Sequence, residues 1–266
     1  MSMTLQDMTS IATLTRNFVG SASTSGTSGA SGTSSASDPL AQVLDAASKR
    51  ISAQISQTNV QLSSYGQIKS GFASLQTTGQ ALTTLGKNAS VSDVSKAAQS
   101  FVDAFNTTTS AVNTAVGGTG KSTGALANDA LARLSGNDLR RITTSSTGAA
   151  ELQKIGISVN QNGSLALDTA ALGKALQSNP DAVKSTLAKL GQQASSTATT
   201  ELSSGGAVGS AVNSLTNRAR NLAAQQTQEQ KLSASAQAAI QQSSAQTTSF
   251  GGISAGIAAY MKMFSL

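Results

Sequence analysis

The residues that come nearest to chemistry in this chain are Gly117-Gly118-Thr119-Gly120-Lys121-Ser122, where a lysine and a hydroxyl follow a glycine-rich run as they do in phosphate-cradling loops. The spacing fails that test. A phosphate loop needs a glycine five residues before the one in Gly-Lys-Ser, and Ala115 stands there; the preceding segment also patterns as a helix where a strand is required. The run therefore reads as a helix-ending linker. The 12 acidic residues present no acid and base pair at a defensible spacing. Asp38 and Asp168 stand where helix N-caps belong and Asp93 in the acidic place of a capping box, and the many serines have no visible base to activate them. His and Cys are absent, which removes imidazole bases, thiol nucleophiles, disulfides and the usual metal ligands together. The expectation is a non-enzymatic protein with no catalytic residue, no cofactor and no metal.

Composition says what such a chain can build instead. Across 266 residues, aromatics make up 3% and charged residues 11%, and Trp is missing, so any core is thin. Slender helical bundles that assemble with others suit it better than a thick layered fold. The net charge of +6 raises the question of nucleic acid, but the basic residues are scattered as Lys49-Arg50, Arg140-Arg141, Arg218 and Arg220 without interleaved aromatics. Solvated helix faces account for them, and no nucleic-acid partner is expected. Apolar runs are too short for a membrane span, and the N-terminus lacks a basic region followed by an apolar core and a cleavage site. The absence of Cys fits export to an oxidising exterior, by a route without a cleaved signal.

The elements that organise the chain centre on Leu152 to Gly191. Ile155, Ile157 and Val159 alternate with polar or small residues, Asn162-Gly163 supplies a positive-φ turn, and Leu165 and Leu167 alternate again, which predicts a β-hairpin over 155–168. Asp168 caps a short helix carrying Ala171, Leu172, Ala175 and Leu176. Asn179-Pro180 ends it and starts another, with Ala182, Val183, Leu187 and Leu190 as its stripe and Gly191 as its stop.

Around this unit lie long helical patterns. Leu44, Ala47, Ile51, Ile55, Thr58, Leu62, Tyr65, Ile68, Phe72, Leu75, Gly79 and Leu82 recur at three- and four-residue steps, a heptad-like seam roughly 70 Å long if helical throughout. Gly66, Gly71 and Gly79 weaken that helix intrinsically, each by roughly 1 kcal/mol relative to Ala. Ser90-x-x-Asp93 resembles a capping box ahead of Val94, Ala98, Phe101, Phe105, Val112 and Val116. Leu126, Leu131, Leu134, Leu139 and Ile142 form a third region, interrupted near Gly136. Past a weakly patterned stretch from Thr197 to Gly206, Val208, Val212, Leu215, Ala219, Leu222, Gln226, Glu229, Ser233, Ala236 and Ile240 restore the rhythm with polar residues in the seam. The fold expected is mainly α: an elongated antiparallel helical bundle or coiled coil over 38–85, 92–116, 128–146 and 207–247, with one small β-hairpin and flexible terminal helices.

Both ends carry further apolar stripes. Leu5, Met8 and Ile11 belong to a short amphipathic segment, and Gly20 to Ser37 is a Gly/Ser/Thr/Ala linker. Ile253, Ile257, Tyr260, Met261 and Phe264 share one side of a last short helix. The expected organisation is a terminal axial segment and linker (1–37), a helical bundle domain (38–247) and a C-terminal axial helix (248–266). Two terminal stripes outside the hairpin-bearing body point to self-association. The candidate oligomer interface is Leu5, Met8, Ile11, Leu44, Ile51, Leu62, Val212, Leu215, Leu222, Ile253, Ile257, Tyr260 and Phe264.

Three landmarks then resemble one family. Leu62-Ser63-Ser64-Tyr65-Gly66-Gln67-Ile68-Lys69-Ser70 is similar to a Tyr-Gly-x-Leu-Lys-Ser core, and Phe101-Val102-Asp103-Ala104-Phe105-Asn106 to Phe-Val-x-Ala-Tyr-Asn. The Ile155-Gly156-Ile157 strand, the Asn162-Gly163-Ser164-Leu165 turn and the Asn179-Pro180-Asp181-Ala182-Val183 helix start complete the set. In this order they resemble the flagellar filament cap family, hook-associated protein 2 or FliD, and span most of residues 38 to 190. The outer β-rich domains usual between the first two landmarks look missing, since only a short link separates Leu85 from Phe101, and the family's Gly-Asp pair appears as Asn128-Asp129. The tail after Gln241 matches the family poorly. The resemblance implies a minimal cap-like protein, secreted and extracellular, that forms a ring-like homo-oligomer at the filament tip, promotes flagellin polymerisation and prevents subunit leakage. Its implied partners are its own copies, flagellin, the hook-filament junction proteins and a secretion chaperone. The alternative is a structural axial or junction subunit of the flagellum or of a related secreted assembly.

Overall fold

In a computed structural model, residues 39–86, 89–120, 122–144 and 148–263 are described, with side chains placed among them from Val43 to Ala238. In chain order the elements are α1 (Pro39–Thr83), α2 (Val91–Gly117), α3 (Ala130–Thr144), α4 (Gly148–Lys154), β1 (Ile157–Val159), β2 (Leu165–Leu167), α5 (Thr169–Ser178), α6 (Pro180–Leu202) and α7 (Ala207–Met263). The fold is mainly α with one two-stranded antiparallel sheet, as the patterning predicts. The short helix α4 has no forerunner in the sequence reading.

Helix starts follow the side chains that satisfy free backbone N–H groups. Ser90 Oγ accepts the Asp93 N–H at 3.1 Å while Asp93 Oδ2 accepts the Ser90 N–H at 3.3 Å, a complete capping box at the head of α2. Those bonds hold the exposed Asp93 carboxyl below its ordinary range, the Ser90 hydroxyl contributing most. Asp168 Oδ1 accepts from Ala170 and Ala171, both at 2.9 Å, to start α5. Asn179 Oδ1 accepts from Ala182 at 3.1 Å, with Pro180 in the first turn of α6. Asp38, read as a cap of α1, lies outside the described residues.

The hairpin pairs Ile157 with Leu167, Ser158 with Ala166 and Val159 with Leu165. Its turn differs from the one expected. Only Gly163, at φ 82°, takes a left-handed conformation, and Asn162 does not. Asn160 N–H donates to the Ser164 carbonyl at 2.8 Å and Gly163 N–H to the Asn160 carbonyl at 2.9 Å, so a longer loop with a single left-handed glycine closes the strands. Asn162 serves through its side chain, whose Oδ1 accepts from Ser164 N at 3.0 Å and Ser164 Oγ at 2.7 Å.

Several boundaries are corrected by packing. Gly191 does not stop its helix; α6 runs on to Leu202. A Cβ at Gly191 would strike the Gly79 carbonyl and lie 2.8 Å from Leu82 Cβ, so this glycine marks a close helix crossing. Gly136 likewise leaves α3 unbroken, where a Cβ would lie 3.2 Å from Val112 Cγ1. The last short helix expected in the tail is continuous with the element before it, as α7 runs unbroken from Ala207 to Met263.

Two contacts set the direction of α1 on its neighbours. Gly79 meets Gly191 while Gln76 Nε2 donates to Thr199 Oγ1 at 2.8 Å, so α1 and α6 run antiparallel. Gly71 meets Thr108 while Ser64 and Thr114 line one groove, so α1 and α2 do the same. Between these helices lies one apolar cluster, with Tyr65, Ile68, Phe72 and Leu75 from α1 facing Phe101, Phe105 and Val112 from α2. Leu139, Ile142, Leu152, Ile157, Leu165, Leu172, Leu187 and Val208 close it from the remaining elements.

Candidate assembly site

The site to be accounted for is the set of motif residues and the surface they support. Tyr65 is fully buried and its hydroxyl donates to Asp129 Oδ1 at 2.7 Å. The same oxygen accepts the N–H groups of Leu131 at 2.9 Å and Ala132 at 3.1 Å, so one carboxylate caps α3 and ties it to α1. Burial first, and Asp129 second, push the Tyr65 hydroxyl well above its ordinary pKa, so it stays a neutral donor. Next to it, Gly66 is exposed with nothing near the space its Cβ would occupy, and Lys69 is half-buried one turn on.

Phe101 and Phe105 are both buried, their ring centroids 6.2 Å apart and tilted by 34°. Asn106 then acts as a substitute strand. Its Nδ2 donates to the Leu165 carbonyl at 2.8 Å and its Oδ1 accepts the Leu165 N–H at 2.7 Å, so both backbone groups of a buried β2 residue are satisfied from a helix. One helical pair of turns later, Asn113 Nδ2 reaches the Asn162 carbonyl at 3.4 Å. Ile155 and Ile157 are buried, and Gly156, at φ 83°, turns where a Cβ would lie 2.7 Å from the Asp168 carbonyl. Asn179 and Pro180 stay exposed and act as the cap and first turn of α6. Tyr65, Asn106, Gly156, Gly163 and Asn179 thus hold the hairpin and the helices around it in register.

The candidate interface residues are spread more widely. Leu44, Ile51, Leu62, Val212 and Leu215 are partly buried and Leu222 is 4% exposed. Ile253, Ile257 and Tyr260 belong to α7 beyond the residues with described side chains, and Leu5, Met8, Ile11 and Phe264 lie outside the described residues.

Two concavities among the described residues are small. A void of about 10 Å³ between the hairpin tip, α2 and α3 is lined by Thr109, Asn113, Arg140 and Gly163, and the Thr109 hydroxyl has no partner among the described residues. It has room for one water. A shallow groove of about 190 Å³ runs beside the glycine-rich linker, between Ser64, Gln67, Thr114 and Thr123. That is below the roughly 300 Å³ at which small-molecule pockets begin. The linker follows a helix and folds on itself through Thr119 and Ser122, an arrangement unlike a phosphate loop; Lys121 lies outside the described residues. Among the described residues no cluster of three or more acidic side chains could hold a metal, and no helix is long and apolar enough to cross a membrane.

Sequence reasoning overlooked one buried polar pair, Ser135 of α3, whose Oγ donates to Oε2 of Glu201 on α6 at 2.6 Å. A signal was there: Glu201 is the single charged residue between Lys189 and Arg218. A lone charge in so neutral a stretch marks a specific environment.

Neither a curated protein nor a solved structure matches the chain. A family model described as flagellar hook-associated protein 2 C-terminus matches residues 68–249, more than half of its length.

Proposed function

From a chain that belongs to the flagellar hook-associated protein 2 family, we propose that this protein caps the flagellar filament, oligomerising at the tip, promoting flagellin polymerisation and preventing subunit leakage. The family match is the observation that carries this reading, because it takes in the packed body from Ile68 onward and most of the long helix leaving it. The mechanism is steric and conformational, with no bond chemistry. The body supplies a rigid frame, and the long helices α1 and α7, with the terminal segments, supply the surface for neighbouring copies through the partly exposed Leu44, Ile51, Leu62, Val212 and Leu215, while Leu222 is already buried within the chain. The partners are other copies in a closed ring, incoming flagellin and the hook-filament junction proteins, with a secretion chaperone before export. The place of action is outside the cell, at the filament tip.

Deleting the gene and comparing flagellin held in filaments with flagellin lost to the medium tests this directly. Filament loss with monomer in the medium, reversed by the intact gene, is the expected result. Normal filaments without leakage would overturn the cap reading and move the assignment to an axial or junction subunit. Such a subunit stacks in an open helix, where a cap closes in a ring.

A further inference from the structure

The tip of the hairpin holds a chemistry that the cap reading does not use. Asn162-Gly163 is the single Asn-Gly pair in the chain. An asparagine in that setting can react with its own backbone, because the next amide nitrogen lies within reach of its side-chain carbon and glycine adds no side chain to block the approach. Asn162 is exposed, and its side-chain oxygen is gripped by two donors. Ser164 Oγ donates to Asn162 Oδ1 at 2.7 Å and the Ser164 N–H donates to it at 3.0 Å. The same hydroxyl oxygen accepts from Asn160 Nδ2 at 2.9 Å, so a polarised chain of hydrogen bonds ends on Asn162 Oδ1. Donors held on the oxygen of a carbonyl under attack stabilise the negative charge that develops there.

We propose that Asn162 is a self-modifying site, where the Gly163 nitrogen attacks Asn162 Cγ while Ser164 holds the side-chain oxygen, and the asparagine becomes aspartate or isoaspartate. The Gly163 nitrogen gives its proton to solvent and bonds to Cγ. The Cγ–Nδ2 bond then breaks, and Nδ2 takes up a proton and leaves as ammonia. Water opens the resulting cyclic imide at one or other of its carbonyls, and no further reactant is needed. In the folded loop the Gly163 N–H donates to the Asn160 carbonyl at 2.9 Å, so opening of that bond gates the attack.

Other asparagines lack this set. Asn106 and Asn113 lie within α2 and Asn137 within α3, where the next nitrogen is fixed in helical geometry and the next residue carries a side chain. Asn179 precedes Pro180, whose nitrogen has no proton to give up. Conversion acts where the tip meets α2. Asn113 Nδ2 reaches the Asn162 carbonyl at 3.4 Å, and Thr109, Arg140, Asn162 and Gly163 line one small void. Aspartate brings a negative charge to that contact. Isoaspartate lengthens the loop backbone by one carbon between strands held in fixed register, which pulls the tip away from α2.

The test is incubation of the full chain in warm, mildly alkaline buffer, with and without urea, followed by peptide mapping that separates aspartate from isoaspartate. The native protein, Ser164→Ala and Ser164→Thr are compared. The folded native protein should convert Asn162 ahead of every other asparagine, with isoaspartate among the products. Ser164→Ala keeps the N–H donor and loses the hydroxyl, and should slow conversion by about tenfold, the size of one hydrogen bond to a developing charge. Ser164→Thr keeps a hydroxyl and should convert at close to the native rate. In urea the difference between native protein and Ser164→Ala should vanish, because the fold no longer sets Ser164 on Asn162. Asn162 left intact in the folded chain under conditions that convert it in urea overturns the proposal. So does a folded Ser164→Ala rate equal to the native one or above it. Should Ser164→Ala fail to fold, a Ser164→Thr rate about tenfold below the native one overturns it instead.

Discussion

The stretch of α1 from Ile55 to Leu82 and the stretch of α7 from Ala223 to Ala238 keep the same three- and four-residue rhythm and come to opposite ends. Along the first, Ile55, Thr58, Tyr65, Ile68, Phe72, Leu75 and Leu82 are all 6% exposed or less. Along the second, Gln226, Glu229, Ser233 and Ala236 are the least exposed positions of their turns, yet none is buried, and Leu232 is 55% exposed. The rhythm correctly identifies the inward face in both. What it does not carry is how much lies on the other side of that face. In α1 large side chains meet two helices brought close by Gly71 and Gly79. In α7 the seam offers an amide, a carboxylate, a hydroxyl and a methyl, side chains that set register more than they bury area.

The comparison breaks most visibly if equal truncations cost the same in both places. Phe101→Ala removes a fully buried ring from the centre of the cluster and should lower stability by about 3–5 kcal/mol, read from urea unfolding of the chain. A cost as small as that of an exposed shaft residue would mean the body is not the cooperative unit.

Asn106→Ala sharpens the comparison at a polar point. It takes both hydrogen bonds from Leu165, which is 3% exposed, and each buried group left unpaired costs about 1–3 kcal/mol. Exchange of the Leu165 amide should accelerate with the loss of stability. Asn106→Asp retains the acceptor for that N–H but sets a carboxylate against the Leu165 carbonyl, and should recover only part of it. Full recovery would show that the N–H bond alone holds the hairpin.

Glycine to alanine changes sign along α1 and its partner. Gly191→Ala drives a methyl into the Gly79 backbone and should destabilise by about 1–3 kcal/mol, because both helices must separate. Gly66→Ala meets open space and should stabilise the isolated chain by about 1 kcal/mol. Both are read as shifts in thermal midpoint. If Gly66→Ala also abolishes filament capping while raising the midpoint, the glycine serves a neighbouring molecule.

These contrasts show what could be read from residue order. The capping signals at Ser90, Asp168 and Asn179 were legible because they act within three residues, and the seams because a helix repeats its faces. Gly191 and Gly136 were misread as breaks because a glycine that ends a helix and one that lets another helix approach look alike until the partner is known. Asn106 appeared only as part of a motif, since its partner lies 59 residues away. The motif residues of the candidate site fold the body, and the residues proposed to meet other copies lie on the long helices α1 and α7, outside the most densely packed part of it.

Leu232→Ala carries the smallest expected effect and separates packing within the chain from packing between copies. The side chain is mostly exposed, so its loss should change the stability of the isolated chain by no more than about 0.5 kcal/mol. If the α7 shaft meets another copy along this face, the same leucine becomes buried in the assembly, where burial contributes about 1.5–3 kcal/mol. The association constant should then fall by about tenfold or more, measured by sedimentation velocity across a concentration series. A variant that unfolds and associates as the native chain does would place the contact between copies elsewhere on α1 or α7, and leave this stretch of the shaft as a spacer.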